Sequence, residues 1–446
     1  MKKQFYLLKR LLFWRPLCWV FILPFLSQCG GNVVQPPSAK PTRYDKPLYK
    51  WVELGPNGSA IARAVTKGTI CPDAAIDSVP VSMRTRPANV NIEEKGKWEV
   101  TVCEVEIPPD AKSVSVEGTA LPLLKKSPSR ILVIGDTGCK ITDDDAQSCN
   151  NSVAWPFPDI AGAATQYKPD LIIHVGNYTY RDSLCPYDND GCRRSPHGDI
   201  WDTWEADLFL PARNLLPTAP WIFLRGDREN CVLNPKGWFR LLDPFPYSEK
   251  CENFSQPYNV VLDTLTLSVM DSTSADDGSY AAAKVSKYSS YIKTLENTAS
   301  RHRWFLTHRP VWALAQNPNE ANHQDSLSTL NHTLQTAFRS AQWDALLLKY
   351  DMIISGHLNV FDMFSFNEQG TPPQFIIGNG GTLLDPAISA RVRGYRIGLK
   401  TLKDIKSVST FGFATIEPVG DSWGVTLRDK NGRPITSCDV GSASCQ

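Results

Sequence analysis

At 446 residues, with 42% hydrophobic and 21% charged residues, the chain is long enough for two or three cores and too apolar to be disordered as a whole. Its 47 Lys and Arg nearly balance 46 Asp and Glu, which leaves no electrostatic footprint for nucleic acid and no polybasic tail. The expected partner is a small molecule or another protein.

The first segment, MKKQFYLLKRLLFWRPLCWVFILPFLSQC, opens with Lys2, Lys3, Lys9, Arg10 and Arg15 and passes into an apolar stretch from Leu17 to Leu26. About ten residues long and holding Pro24, that stretch is short for a span of ~20 residues and right for the core of a secretory signal. Leu26-Ser27-Gln28-Cys29-Gly30 has the form of a bacterial lipoprotein cleavage site, with Gln28 where a small residue is usual. The expectation is a lipoprotein-type signal over residues 1–29, lipidation at Cys29, and a periplasmic or outer-surface protein held to a bacterial membrane through that lipid alone. Ordinary cleaved secretion, and an uncleaved anchor over Leu7 to Leu26, are the alternatives.

Twelve cysteines fit an oxidising compartment. Setting aside Cys18 and Cys29 leaves ten, which fall as near neighbours: Cys71 with Cys103, Cys139 with Cys149, Cys185 with Cys192, Cys231 with Cys251, and Cys438 with Cys445. Five neighbour disulfides are expected, each closing a short loop; a nucleophilic Cys139 thiol is the competing reading.

Residues 30–47 are rich in Gly, Pro and Ser and read as a tether. Over 48–124, short alternating runs such as KWEVTVCEVEI and SVSVEGTALPL are broken by Pro, Gly and Asn, which predicts a small antiparallel β domain. From Ile131, strands alternate with helical patterns, the mark of a layered α/β arrangement. Asp202 to Leu216 sets Trp204, Leu208, Ala212 and Leu215 on one helical face, and Ser326 to Tyr350 does the same with Leu327, Leu330, Leu334 and Phe338. After Phe411 the pattern returns to hairpin, in GFATIEP, WGVTLRD and the turn Lys430-Asn431-Gly432.

Within this layout five blocks share one design, an apolar strand that breaks into a polar turn: ILVIGDTG, LIIHVGNYTYRD, PWIFLRGDREN, WFLTHRP and MIISGHLN. Each strand reads as buried on both faces, and each turn lies at the carboxyl end, where open α/β sheets gather ligands. In order and content the blocks resemble the calcineurin-like metallophosphoesterases, in particular the branch whose second block reads GDxxY, as in purple acid phosphatases. The resemblance implies a phosphoesterase β-sandwich flanked by helices over 130–440, preceded by the small β domain, and a metal centre of iron, zinc or manganese acting on a phosphate-containing ligand.

Carried over block by block, the resemblance places Asp136 and Tyr180 on a first ion, Asp227, His308 and His357 on a second, and Asn177 where the family's bridging Asp stands. Two divalent ions about 3.5 Å apart repel by roughly 19 kcal/mol in gross Coulomb terms at an effective dielectric of ~20; a bridging carboxylate offsets much of that and a neutral amide does not. In the third block Asp227 replaces an Asn ligand, and Arg228 replaces a His that contacts phosphate or protonates the leaving group. An Arg with a pKa above ~12 is no acid near neutrality, which removes help worth ~10² to 10⁴ in rate. In the fifth block Asn359 replaces a His. The expectation is at most one ion, divalent or trivalent, and impaired turnover, with Asn177 and Arg228 the residues that decide catalysis. A degenerate member that binds an anion or a protein is the alternative.

Single residues also have plainer readings. An Asp in GDTG can cap a helix. His174 reads as a buried, hydrogen-bonded side chain, and His197, His302, His323 and His332 as surface groups. Asn379 in IIGNGGT resembles a loop at the rim of the family's site.

Overall fold

The computed structural model describes residues 46, 48–86, 96–278, 280–296, 300–316, 327–341 and 350–446. The expected signal, Cys29 and His323 lie outside them. Two large sheets face each other, and the apolar runs of the five blocks supply their centres. In the first sheet Ile131–Ile134, Leu171–His174 and Trp221–Phe223 pair in parallel. In the second, Leu265–Met270, His302–Thr307, Met352–Ser355 and Gln374–Ile377 do the same. The registers, Ile134 opposite His174 opposite Phe223 and Leu306 opposite Ile354, bring the strand ends level, so each sheet delivers its turns to one edge.

Side-chain alternation builds the layers. Ile131, Val133, Leu171 and Ile173 point between the sheets and meet Leu267, Trp304, Leu306 and Ile354. Leu132, Ile134 and Ile172 point outward to the helix Phe157–Tyr167 and to Trp204 and Leu208. On the far side, Phe305 and Ile353 meet Tyr288 and Ile292 of the helix Ala282–Thr294 and Leu334 and Phe338 of the helix His332–Ser340. The strand edges are extended by hairpins, Gly412–Val419 pairing with Ser422–Asp429 and with Ile131 to Val133.

The described strands of residues 48–124 serve two sheets. Tyr49–Leu54 pairs in parallel with the Trp221 strand and carries Ala60–Thr66 and Thr101–Ile107 into the first large sheet. Asp73–Ile76, Val79–Ser82, Val114–Val116 and Thr119–Leu121 form a separate four-stranded sheet. The boundary is sealed by buried charge: Arg63 pairs with Glu53 at 2.6 Å and donates to the Leu241 and Asp243 carbonyls, and Arg86 donates to those of Phe239, Asp243 and Phe245.

Two helical expectations are refined. Trp204, Leu208, Ala212 and Leu215 are buried as expected, but the segment is helical only over Trp201–Trp204 and then widens, with Leu210 N–H reaching back to the Glu205 carbonyl. The helix expected over Ser326 to Tyr350 starts later: Leu327–Thr329 is a strand paired with Leu314–Gln316, and Asn331, in the left-handed conformation, caps a helix that begins at His332. The Asn331 side chain accepts from Leu334 N–H at 2.9 Å, a local bond strong enough to override the leucine spacing upstream. All five neighbour disulfides form, which excludes Cys139 as a free thiol. Among the described residues no helix is long and apolar enough to cross a membrane.

Candidate metal centre

The five turns meet at the shared edge of the two sheets. Three of their residues, Asp136, Asn177 and His357, hold positive φ of 52°, 59° and 75°, a conformation that Asp and Asn tolerate and that gathers at functional sites. Gly176, at φ 107°, is required where it stands, because a Cβ there would lie 2.6 Å from His308 Nδ1. Glu229 ties the second turn to the third: its buried carboxylate accepts the N–H groups of Gly226, Asn177 and Tyr178, each at 3.0 Å. Burial raises its pKa to about 7 against the pull of those donors.

Asp227, His308 and His357 converge, with one ligand atom from each lying within 4.8 Å of the others. Asp227 Oδ1 is 2.9 Å from His308 Nε2 and 3.4 Å from His357 Nδ1. The other nitrogen of each ring is engaged elsewhere: His308 Nδ1 is 2.7 Å from the Val175 carbonyl and His357 Nε2 is 2.6 Å from Asp277 Oδ2. Such outer bonds fix the tautomer of a ligand histidine. One carboxylate oxygen thus faces two oriented imidazole nitrogens, and His357 Nδ1 is buried with no hydrogen bond. This donor set, two nitrogens and an oxygen, fits one transition-metal ion.

Electrostatics follow the same plan. Burial opposes ionisation of Asp227, yet His357, His308 and Arg309 hold its pKa well below the ordinary carboxylate value. Asp277 is likewise held at about 2, against burial, by His357 and Arg309. Burial lowers the pKa of His308 and Asp227 opposes it. At His357 burial and Arg309 lower the pKa, but the Asp227 and Asp277 carboxylates lift it to about 9.

The other half does not fit an ion. Asp136 Oδ1 accepts from Asn177 Nδ2 at 2.9 Å and Oδ2 from His357 N–H at 2.9 Å, while Asn177 Oδ1 accepts Arg228 N–H at 3.0 Å. Both Asp136 carboxylate oxygens and both Asn177 amide atoms are thus bound to protein. Tyr180 lies under the Arg228 guanidinium, 3.9 Å from ring centre to carbon, and Arg228 is paired with Asp182. Burial raises the Tyr180 phenol and Arg228 only partly opposes it, so a phenolate is not favoured. Asn359 is held by its backbone, its N–H donating to Asp385 Oδ2 at 2.7 Å, and no bond joins its side chain to the cluster among the described residues.

His174 is the buried residue expected, 3.0 Å from Thr137 Oγ1. His332 is exposed, His197 and His302 are half-buried, and His302 is paired with Asp351 at 2.9 Å. Asn379 packs at the edge, donating to the Thr410 carbonyl at 2.7 Å. Sequence reading missed Glu229, Asp277 and Arg309. Asp277 was findable: LTLSVM followed by DSTSADD repeats the strand-then-polar-turn design of the five blocks.

Comparison with known proteins agrees with this layout. A search of curated protein sequences returns no significant match. Among solved structures, a purple acid phosphatase from yellow lupin (Lupinus luteus) seeds superimposes with a TM-score of 0.56 at 13% identity, covering 88% of this chain and 74% of that one. PhoD does so with a TM-score of 0.52 at 9% identity, covering 89% and 90%. At such identities the likeness concerns the fold. The family model described as calcineurin-like phosphoesterase matches residues 129–361, a span that begins just before the first block and ends just after the fifth. With that match over more than half of its length, and with Asp227, His308 and His357 brought together as a candidate ion site, the chain belongs to the calcineurin-like phosphoesterase family.

Proposed function

We propose that this protein is an exported, one-ion member of its family that binds a phosphate ester and hydrolyses it with impaired turnover. The observation that carries the reading is the closed first position, where Asn177 bonds Asp136 and the Arg228 amide together. Asp227, His308 and His357 would hold the ion, and when bound it would supply Lewis-acid charge to a phosphoryl oxygen. Arg228, charged at any working pH and paired with Asp182 over the Tyr180 ring, is the cation this reading assigns to the same phosphate. Arg228 cannot give a proton to a leaving group near neutral pH.

Reconstituted with Zn²⁺ or Mn²⁺, the protein should hydrolyse p-nitrophenyl phosphate or bis(p-nitrophenyl) phosphate far below the ~10 s⁻¹ of an ordinary enzyme. It should bind inorganic phosphate in a manner that Arg228→Ala weakens. Ordinary turnover that alanine at His308 or His357 abolishes would refute the impaired reading and leave a working one-ion hydrolase. Phosphate binding with no turnover at all would favour the degenerate anion binder.

Export and lipid anchoring at Cys29 belong to the same proposal. They are supported by the basic start, the short apolar run and LSQC, and five disulfides agree with an oxidising compartment. Mass spectrometry of the native N-terminus should find an acylated Cys29; a retained Met1 or an unmodified terminus elsewhere would refute it.

A further inference from the structure

Arg309 follows His308 directly, and its side chain is nine-tenths buried, with 10% exposed. Its Nη2 lies 3.1 Å from Asp227 Oδ2, while Nη1 pairs with Asp277 and lies 3.1 Å from His357 Nε2. Its backbone is pinned as well, the N–H donating to Ser272 Oγ at 2.8 Å. The guanidinium therefore spans two carboxylates from different strand ends, one a candidate ion ligand and the other the partner of a ligand histidine. A planar fork with five donors suits that task in a way a point charge does not.

We propose that Arg309 is the built-in counter-cation of the centre: it holds Asp227 and Asp277 together when no ion is bound, and it sets the ion affinity low enough for exchange. The inference rests on the one-ion reading. Two carboxylates converging on one histidine in a buried setting repel each other, and Arg309 sets between them a positive charge that does not depend on the histidine. With the guanidinium on Oδ2 of Asp227, an ion taken by Oδ1 must share that carboxylate with a fixed positive charge. The same residue thus stabilises the ion-free centre and opposes the ion.

This gives Arg309 a signature that packing alone would not have: stability and affinity should move in opposite directions. Chelator-stripped wild type and Arg309→Gln are compared by chemical denaturation and by competition with a chromophoric chelator for Zn²⁺. Arg309→Gln should be less stable when stripped, regain stability with Zn²⁺, and bind Zn²⁺ about 10- to 100-fold tighter, the range over which outer-shell partners act. Arg309→Lys, which keeps the charge but not the fork, should fall between wild type and Arg309→Gln in both measurements.

An Arg309→Gln chain that binds Zn²⁺ no tighter, or that Zn²⁺ cannot restore, would overturn the proposal. So would wild type that unfolds on stripping, or Arg309→Lys behaving as Arg309→Gln does. If wild type takes up no Zn²⁺ but Arg309→Gln takes up one ion, the one-ion reading fails for the native chain while Arg309's part is upheld. Uptake by neither overturns both.

Discussion

Around Asp136 each carboxylate oxygen already accepts a protein hydrogen bond, from Asn177 Nδ2 and from the His357 amide. Around Asp227, Arg309 holds one oxygen, and the other faces two imidazole nitrogens whose far sides are anchored. Both halves gather their residues from the same strand ends and both are ringed by buried charge. They differ in where the charge is neutralised. The first half is closed internally by the Asn177 side chain and the backbone N–H groups of His357 and Arg228, and the second leaves a donor set open to a cation. The comparison teaches that an acidic residue at a family position says little about an ion until the partners of both its oxygens are known.

The sharpest way to break this contrast is to delete ligands on each side. His308→Ala and His357→Ala should each weaken Zn²⁺ binding by at least about a hundredfold, since a three-ligand site loses a third of its donors. Asp136→Asn should change it by less than about threefold. Titration calorimetry on chelator-stripped protein checks both. Equal losses at Asp136 and His308 would mean that the halves act together.

Opening the first half is the next largest effect. Asn177→Asp sets a carboxylate where an amide now donates to Asp136 at 2.9 Å. Stripped of ions, that variant should lose about 2–4 kcal/mol in a denaturant titration, the scale of an unpaired buried charge. Joined with Asp227→Asn, Arg228→His and Asn359→His it should admit a second ion and raise phosphate-ester hydrolysis. The single changes should raise it little, because residues that act as a unit are not additive.

A third test asks what a buried carboxylate costs when it has neither an ion nor a guanidinium. Asp362, fully buried in the strand Phe361–Phe366, has its pKa pushed up by burial to about 7. Because the folded pKa lies above the unfolded one, its contribution is fully present below about pH 4 and is lost as pH rises through 7. Asp362→Asn should therefore match wild type near pH 4 and exceed it by roughly 4 kcal/mol at pH 8, as read from denaturation at the two pH values. No difference at pH 8 would show that burial alone is not what separates the halves.

The smallest effect is expected at Tyr180. With its phenol kept protonated and its ring under Arg228, Tyr180→Phe should leave Zn²⁺ affinity within about twofold, since the cation–π contact survives. A loss of tenfold or more in the same competition assay would place Tyr180 on the ion after all.

Much of the fold was legible because each block's strand is apolar on both faces, which only a layered sheet explains, and because the cysteines pair with near neighbours. The Asp227, His308 and His357 set was legible for a related reason, since strand-end turns in a fixed order imply a common edge. What the sequence did not reveal are contacts between distant segments. Glu229 works by accepting backbone N–H groups from a turn some fifty positions away, and Arg309 by reaching Asp227 and Asp277 at once. The leucine spacing before Asn331 misled because one side-chain cap decided where the helix begins.

The most direct test of a centre with one closed half and one open half is the number of ions it holds. Native mass spectrometry or elemental analysis after reconstitution with Zn²⁺ or Mn²⁺, followed by removal of loosely bound metal, should find one ion per chain, lost in His308→Ala and kept in Asp136→Asn. Two tightly bound ions per chain would contradict the account, because the second would have to displace the bonds that Asn177 makes to Asp136 and to the Arg228 amide.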